Sequence, residues 1–211
     1  MTKTIGRPRS ETAHEAILKS ALRLVTRRGF RAVTVNEIAA DAGVGKMTIY
    51  RHWPNKAAVI MDSLVTLIGK ESEFPKAGTA LESIRLQLNL QVSLFRSQRG
   101  NLIRSLVGEA QSDADLAAAY HDRWLVPRRE LVRDTILQAI TEGSIRKDVD
   151  MDAAIDSLYA PFYYRLLLGS GPLDEQFIEH LYRQFLDGHR VPPPARRPRS
   201  STVRSRLTQP V

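Results

Sequence analysis

Residues 34–56 read Thr34-Val-Asn-Glu-Ile-Ala-Ala-Asp-Ala-Gly-Val-Gly-Lys-Met-Thr-Ile-Tyr-Arg-His-Trp-Pro-Asn-Lys56. The stretch predicts two short helices joined by a tight turn. Thr34 followed by Glu37 is a capping box, in which each side chain satisfies a free backbone N–H at the helix start. Val33 and Ile38 take the positions of a hydrophobic staple. The first helix therefore starts near Val35. Gly43 supplies the left-handed residue that ends it, and Val44 is the apolar plug of the turn. Gly45 caps a second helix running to His52 or Trp53, and Pro54 then forces the chain out of helix.

A helix-turn-helix places its second helix in the major groove of DNA. At roughly 100° per residue, with Ile49 turned to the core, Met47 and Arg51 point almost directly away from it. Thr48 and Tyr50 flank them, and Lys46 and His52 lie nearer the edges. Such an Arg bonds guanine bidentately, and a Thr donates, accepts or touches a thymine methyl. The plainer alternative is an ordinary helical hairpin with a polar outer face.

The run Ile38-Ala-Ala-Asp-Ala-Gly-Val-Gly-Lys-Met-Thr-Ile-Tyr-Arg-His-Trp-Pro-Asn-Lys56 resembles the recognition segment of the TetR family of bacterial transcriptional regulators. The family's Gly-Val, its Thr-x-Tyr step, its aromatic after His and its Lys two residues beyond Pro recur here together. The resemblance covers roughly residues 11–60. Gly45 departs from it, standing where the family often has a polar cap such as Ser. The expected DNA contacts are Thr34, Asn36, Lys46, Met47, Thr48, Tyr50, Arg51 and His52; the resemblance puts Lys56 on the DNA backbone, the alternative being a solvated surface Lys. The resemblance also implies a homodimer with an effector-binding body.

The chain has 211 residues, 43% of them hydrophobic, and no cysteine. That is enough to bury a core, and it excludes disulfides and thiolate metal sites. No apolar run approaches the ~20 residues that span a bilayer, and the N-terminus reads as no signal peptide. A cytoplasmic protein with no membrane partner is expected. The net charge of +8 divides as +3 over residues 1–10, +4 over 11–56, −5 over 57–188 and +6 over 189–211. A polyanion is drawn to the N-terminal unit and repelled by the body. Four segments follow: a basic flexible arm (1–10), a helix-turn-helix domain (11–56), an effector-binding and dimerisation body (57–188) and a disordered basic tail (189–211). Arg7 and Arg9 of the arm suit a minor groove, or a solvated terminus. The Pro-, Arg- and Ser-rich tail adds non-specific DNA affinity or is inert.

Helical periodicity runs throughout, with no strand pattern, so an all-α fold of about nine helices is expected. A first helix at 11–28, capped by Ser10, braces the helix-turn-helix. Asn55 caps a fourth helix with Val59, Ile60, Leu64, Leu67 and Ile68 inward. Thr79 and Glu82 form a second capping box before a helix at 80–98. That helix is apolar on two faces, Leu81, Ile84, Leu88, Val92 and Phe95 on one and Leu86, Leu90 and Leu94 on the other, and so central. Gly100 starts a turn, Ser112 caps a short piece, and Trp124 with Pro127 marks a bend or helix start. A long helix follows with Leu131, Val132, Ile136, Ala139 and Ile140 inward. Asp152 caps a helix at 152–168 containing Pro161, and Asp174 caps the last.

Catalytic chemistry has no foothold here: no two of the five His residues share a helical face, and neither a nucleophile elbow nor a phosphate cradle is present. No enzyme activity, cofactor or metal is expected. Leu88, Gln91, Phe95, Tyr120, Trp124, Tyr159 and Tyr163 are candidates for the wall of an apolar pocket with a few polar groups, or for a closed core. Aromatics and aliphatics without a cluster of Arg suggest a small hydrophobic effector. Tyr159, Phe162, Tyr163, Leu166, Ile178, Tyr182 and Phe185 are candidates for a four-helix dimer interface, or for the core of one protomer. The leading expectation is a repressor that binds a palindromic operator of double-stranded DNA as a dimer. A DNA-binding protein without an effector, and more remotely a small-molecule enzyme or carrier, are the alternatives.

Overall fold

A computed structural model describes residues 9–69 and 75–191, with the backbone alone described at Arg9 and Ser10. The helices are α1 (Arg9–Arg28), α2 (Val35–Ala42), α3 (Lys46–Tyr50), α4 (Lys56–Ile68), α5 (Ala80–Arg96), α6 (Gln98–Ala110), α7 (Ala114–Tyr120), α8 (Val126–Thr141), α9 (Met151–Leu168) and α10 (Glu175–His189). A π-helical turn, His121–Leu125, fuses α7 to α8, so the described residues make nine continuous helical rods. No strand occurs among them. One isolated antiparallel bridge, Ile145 to Arg190, ties the end of α10 to the loop after α8.

Local chemistry accounts for most helix starts. Glu37 N donates to the Thr34 hydroxyl at 3.2 Å, and Thr34 N donates back to the Glu37 carboxylate at 2.9 Å. Gly43, at φ 68°, is left-handed and closes α2. Asn55 caps α4 and Asp174 caps α10 through their side-chain oxygens. Each such cap contributes about 0.5–2 kcal/mol.

Other starts differ from the sequence reading. Ser10 lies inside α1, which opens at Arg9, so Arg9 belongs to a helix and not to the arm. Asp113, not Ser112, caps α7. Asp150, not Asp152, caps α9, and Asp152 is held by Arg129 and Arg133. Gly100 starts no turn: Ser97 caps α6 and Gly100 is buried in its first turns, where a Cβ would run into the carbonyl of Phe95. Arg7 and most of the tail, from 192 on, lie outside the described residues.

The helix-turn-helix closes on α1 through Ile17, Val25, Phe30, Ile38, Ile49 and Trp53, all nearly or fully buried. Helix α4 is buried on most of its girth, including Val59, Ile60, Met61 and Leu64, because it packs on α1 on one side and on α7 and the π turn on the other. It is therefore the joint between the reading unit and the body. Within the body, α5 packs against α6, α8 and α10. Its second apolar face is covered only in part: Leu94 is buried and Leu90 half-buried, but Leu86 is 45% exposed, and Gln87 and Gln91 are buried as well. Leu131, expected inward on α8, is 40% exposed. No helix of the described residues is long and apolar enough to cross a membrane.

Candidate functional site

Helix α3 stands on Ile49, which is fully buried, and turns the rest of its surface outward. Met47 is 69% and Tyr50 44% exposed, with Lys46, Arg51 and His52 exposed beside them and Thr48 half-buried. Such exposure of an apolar Met and a Tyr on a reading helix is what base-edge contact requires. Among the described residues Lys46 and Arg51 form no ion pair, whereas Arg28 is bound to Glu37 and Arg31 to Glu109. Asn36 is exposed at the start of α2. The hydroxyl of Thr34 is committed to the capping box.

Two further expected contacts have internal partners. Lys56 Nζ donates to the carbonyls of Phe30 and Val33 at 3.0 and 3.1 Å and sits 4.3 Å from the Phe30 ring centre. It clips the α1–α2 loop to the base of α4, so at least two of its three donors are occupied inside the protein. His52 joins a ring cluster with His14 and Trp53.

The body holds a small cavity of about 60 Å³ between α5, α8 and α9, lined among others by Gln87, Gln91, Leu125, Arg128, Tyr159 and Tyr163. Of the expected pocket residues, Gln91, Tyr159 and Tyr163 reach it. Tyr120 and Trp124 stand behind Tyr163: its hydroxyl accepts from the Trp124 indole and from the Tyr120 hydroxyl, each at 3.0 Å. Leu88 and Phe95 are buried and do not line it. Burial pushes the Tyr120, Tyr159 and Tyr163 hydroxyls above their ordinary value, so all three stay protonated. Gln87 and Arg128 were not foreseen. Gln87 sits one turn before Gln91 on one face, and a pair of Gln four apart on a central helix was the available signal. Nothing in Arg128-Arg129 tells which of the two turns inward. A wider cleft of about 650 Å³ runs between α1, α4, α5 and α6, but among the described residues no unpaired buried polar atom faces it.

The π turn carries cavity and reading unit on adjacent residues. Trp124 backs the cavity, and Arg123 donates to Asp62 of α4 at 2.6 Å. The other oxygen of Asp62 accepts from the Trp53 indole at 2.7 Å, just past the reading helix. Asp62 was the one charge in the run Ala57–Ile68, a signal that passed unread. On the outer flank, Arg31 donates to Glu109 and Ser112, a second tie between the reading unit and the body.

The residues expected at a dimer interface are mostly core. Phe162, Leu166, Ile178 and Phe185 are at most 3% exposed in a single protomer. Tyr159 and Tyr163 face the cavity, and Tyr182 donates to the Leu81 carbonyl at 3.0 Å. One protomer does supply the second layer they need, because α5 and α6 cover α9 and α10. The apolar face left open on α9 is its opposite side, Ala160, Tyr164, Leu167 and Leu168, with Tyr164 60% and Leu168 67% exposed.

Residues 74–185 match the family described as tetracyclin repressor-like, C-terminal domain, and residues 17–61 match bacterial regulatory proteins, tetR family. The chain belongs to the TetR family. The HTH-type transcriptional regulator YdeS of Bacillus subtilis is 36% identical over 87% of this chain and 92% of its own. A DNA-binding transcriptional repressor TetR of Mycobacteroides abscessus is 29% identical over 82% of this chain and 91% of its own. The crystal structure of a TetR family transcription regulator, SCO0332, superposes with a TM-score of 0.72 at 32% identity, covering 86% of this chain and 99% of the other. As a TetR-family protein, the chain is a DNA-binding helix-turn-helix transcriptional regulator.

Proposed function

We propose that this regulator is a cytoplasmic repressor that binds a palindromic operator as a homodimer and releases it when a small molecule enters the body cavity. The unit through residue 56 reads DNA, and residues 57–188 dimerise and hold the effector. Arg51 and Thr48 read bases. Met47, Tyr50, Lys46 and His52 complete the contact surface, and Asn36 is placed to reach the backbone.

The observation that carries the ligand response is the position of the cavity. It abuts the π turn, and the next residue of that turn grips Asp62, which in turn holds Trp53 beneath α3. A ligand that favours one setting of the turn shifts the seating of the reading unit, and only such differential affinity moves the equilibrium. The dimer is assigned to the open face of α9, where Ala160, Tyr164, Leu167 and Leu168 line a shallow apolar groove. A second copy related by a two-fold axis presents the same stripe and places two α3 helices on one side of the duplex.

Protection mapping on the DNA flanking the gene tests this, with a panel of small molecules added. Two protected half-sites that vanish with one compound support the reading. Sequence-independent coverage refutes the operator, and protection indifferent to every compound that binds the body refutes the switch.

A further inference from the structure

Arg128 is half-buried with its Nη2 end fully enclosed, and among the described residues no acid pairs with it. Its guanidinium lies 3.3 Å over the Trp124 ring, Nη1 makes a long contact of 3.4 Å to the Trp124 carbonyl, and Nη2 is buried without a partner. The neighbouring Arg129 shows the ordinary arrangement, paired with Asp152 and Asp156 at the surface. Burial lowers Arg128 to about 10, which still leaves it charged at neutral pH. A buried charge without a counter-ion is strongly unfavourable, and proteins keep one where something else supplies the opposite charge.

The remaining unpaired groups point the same way. The Tyr159 hydroxyl is buried without a partner. The Tyr163 hydroxyl already accepts two hydrogen bonds, which uses both its acceptor positions and leaves its proton uncommitted. The cavity therefore presents three donors, one of them charged, beside the amides of Gln87 and Gln91. At about 60 Å³ it has room for a group the size of a carboxylate, since a water needs about 10–15 Å³ on the same measure. Leu125 and Tyr163 also line an adjoining, mainly apolar cavity of about 320 Å³, walled further by Val107, Ala110 and Ala117.

We propose that the effector is an organic acid: its carboxylate sits between Arg128, Tyr159 and Tyr163, and its apolar body passes Leu125 into the adjoining cavity. The inference rests on the effector reading above and narrows the small hydrophobic effector expected from the sequence to an amphipathic anion. An uncharged apolar molecule would leave every one of these donors unpaired, which is the situation binding sites discriminate against most strongly.

The test is calorimetry on the full-length dimer with octanoate and benzoate against octanol and benzyl alcohol, alongside operator binding by fluorescence anisotropy. At least one acid is expected to bind about 10- to 100-fold more tightly than its alcohol, the worth of a hydrogen bond to a charged group. Arg128→Met is expected to bring the two within about twofold while melting at or above the wild-type temperature, because it removes an uncompensated charge. Tyr159→Phe, which keeps the packing, is expected to weaken the acid alone by about fivefold. If neither acid outbinds its alcohol, or the preference survives in both variants, the proposal is overturned. An alcohol that releases DNA overturns the acid and keeps the effector reading. An acid that binds through Arg128 without releasing DNA supports the acid and overturns the switch.

Discussion

Asp62→Leu probes the joint between the two units. In the native protein one carboxylate oxygen accepts from the Trp53 indole at 2.7 Å and the other from Arg123 at 2.6 Å. Trp53 is 1% exposed, so its N–H has no water to turn to when Asp62 is gone. An orphaned buried donor costs about 1–3 kcal/mol. The Asp62–Arg123 pair is about one-third exposed on each side, and at that exposure it adds only about 0.5–1 kcal/mol. The expected loss is about 1.5–4 kcal/mol, or about 3–16 °C in melting temperature for a chain of this size. Asp62→Asn keeps an acceptor for the indole and loses the charge, so its cost falls to about 0.5–1 kcal/mol. Urea titration of the two variants measures the difference. The functional counterpart is release: Asp62→Asn is expected to hold operator DNA nearly as wild type does but to respond less to ligand, since Arg123 no longer grips the reading unit through a charge. If Asp62→Leu were as stable as wild type, or if Asn and Leu were equal, Trp53 would not depend on Asp62 and the relay would fail.

Three further outcomes are expected. Arg51→Ala should cost about 1–3 kcal/mol on the cognate site and relax preference at one base pair, whereas Lys56→Ala should lower fold stability by about 1.5–3 kcal/mol through its lost carbonyl and ring contacts and weaken all DNA sequences alike; unfolding curves and binding to mismatched sites separate the two. Tyr164→Glu with Leu168→Glu should leave a folded monomer by light scattering at micromolar concentration, with operator affinity reduced by at least about tenfold because half the contacts are lost. Glu37 sits below its ordinary value of 4.5, first through the Arg28 hydrogen bond and then through Thr34; its folded pKa is depressed, so the stability it adds is present above pH 4.5 and lost as pH falls through the lower value, and Glu37→Gln should flatten the acid limb of the stability profile over that window.

The parts of the fold legible in the sequence are those set by near neighbours. The Thr34–Glu37 and Thr79–Glu82 boxes, the Gly43 turn and the caps Asn55 and Asp174 all act within a few residues of themselves. Outward Met47 and Arg51 followed from inward Ile49 by helical geometry alone. What failed needed knowledge of a distant partner. Gly100 reads as a turn until the chain's close approach to Phe95 is seen. Phe162 and Ile178 suit an interface or a core equally well, and only the covering helices decide. Arg128 and Arg129 are adjacent and alike, yet one is buried on an indole and the other lies against two surface carboxylates. Adjacent residues on a helix face about 100° apart, and Trp124 with Pro127 announces a bend or helix start there but not the π turn that sets the register of α8.

The most direct measurement of the central claim is DNase protection of the region flanking the gene by the full-length protein, with and without an acid that binds through Arg128. Two half-sites related by a two-fold axis are expected, ~34–36 Å apart or a multiple of that spacing, with protection lost on adding the acid and retained in Arg128→Met. A continuous, sequence-independent footprint, or protection unchanged by the bound acid, would contradict that claim.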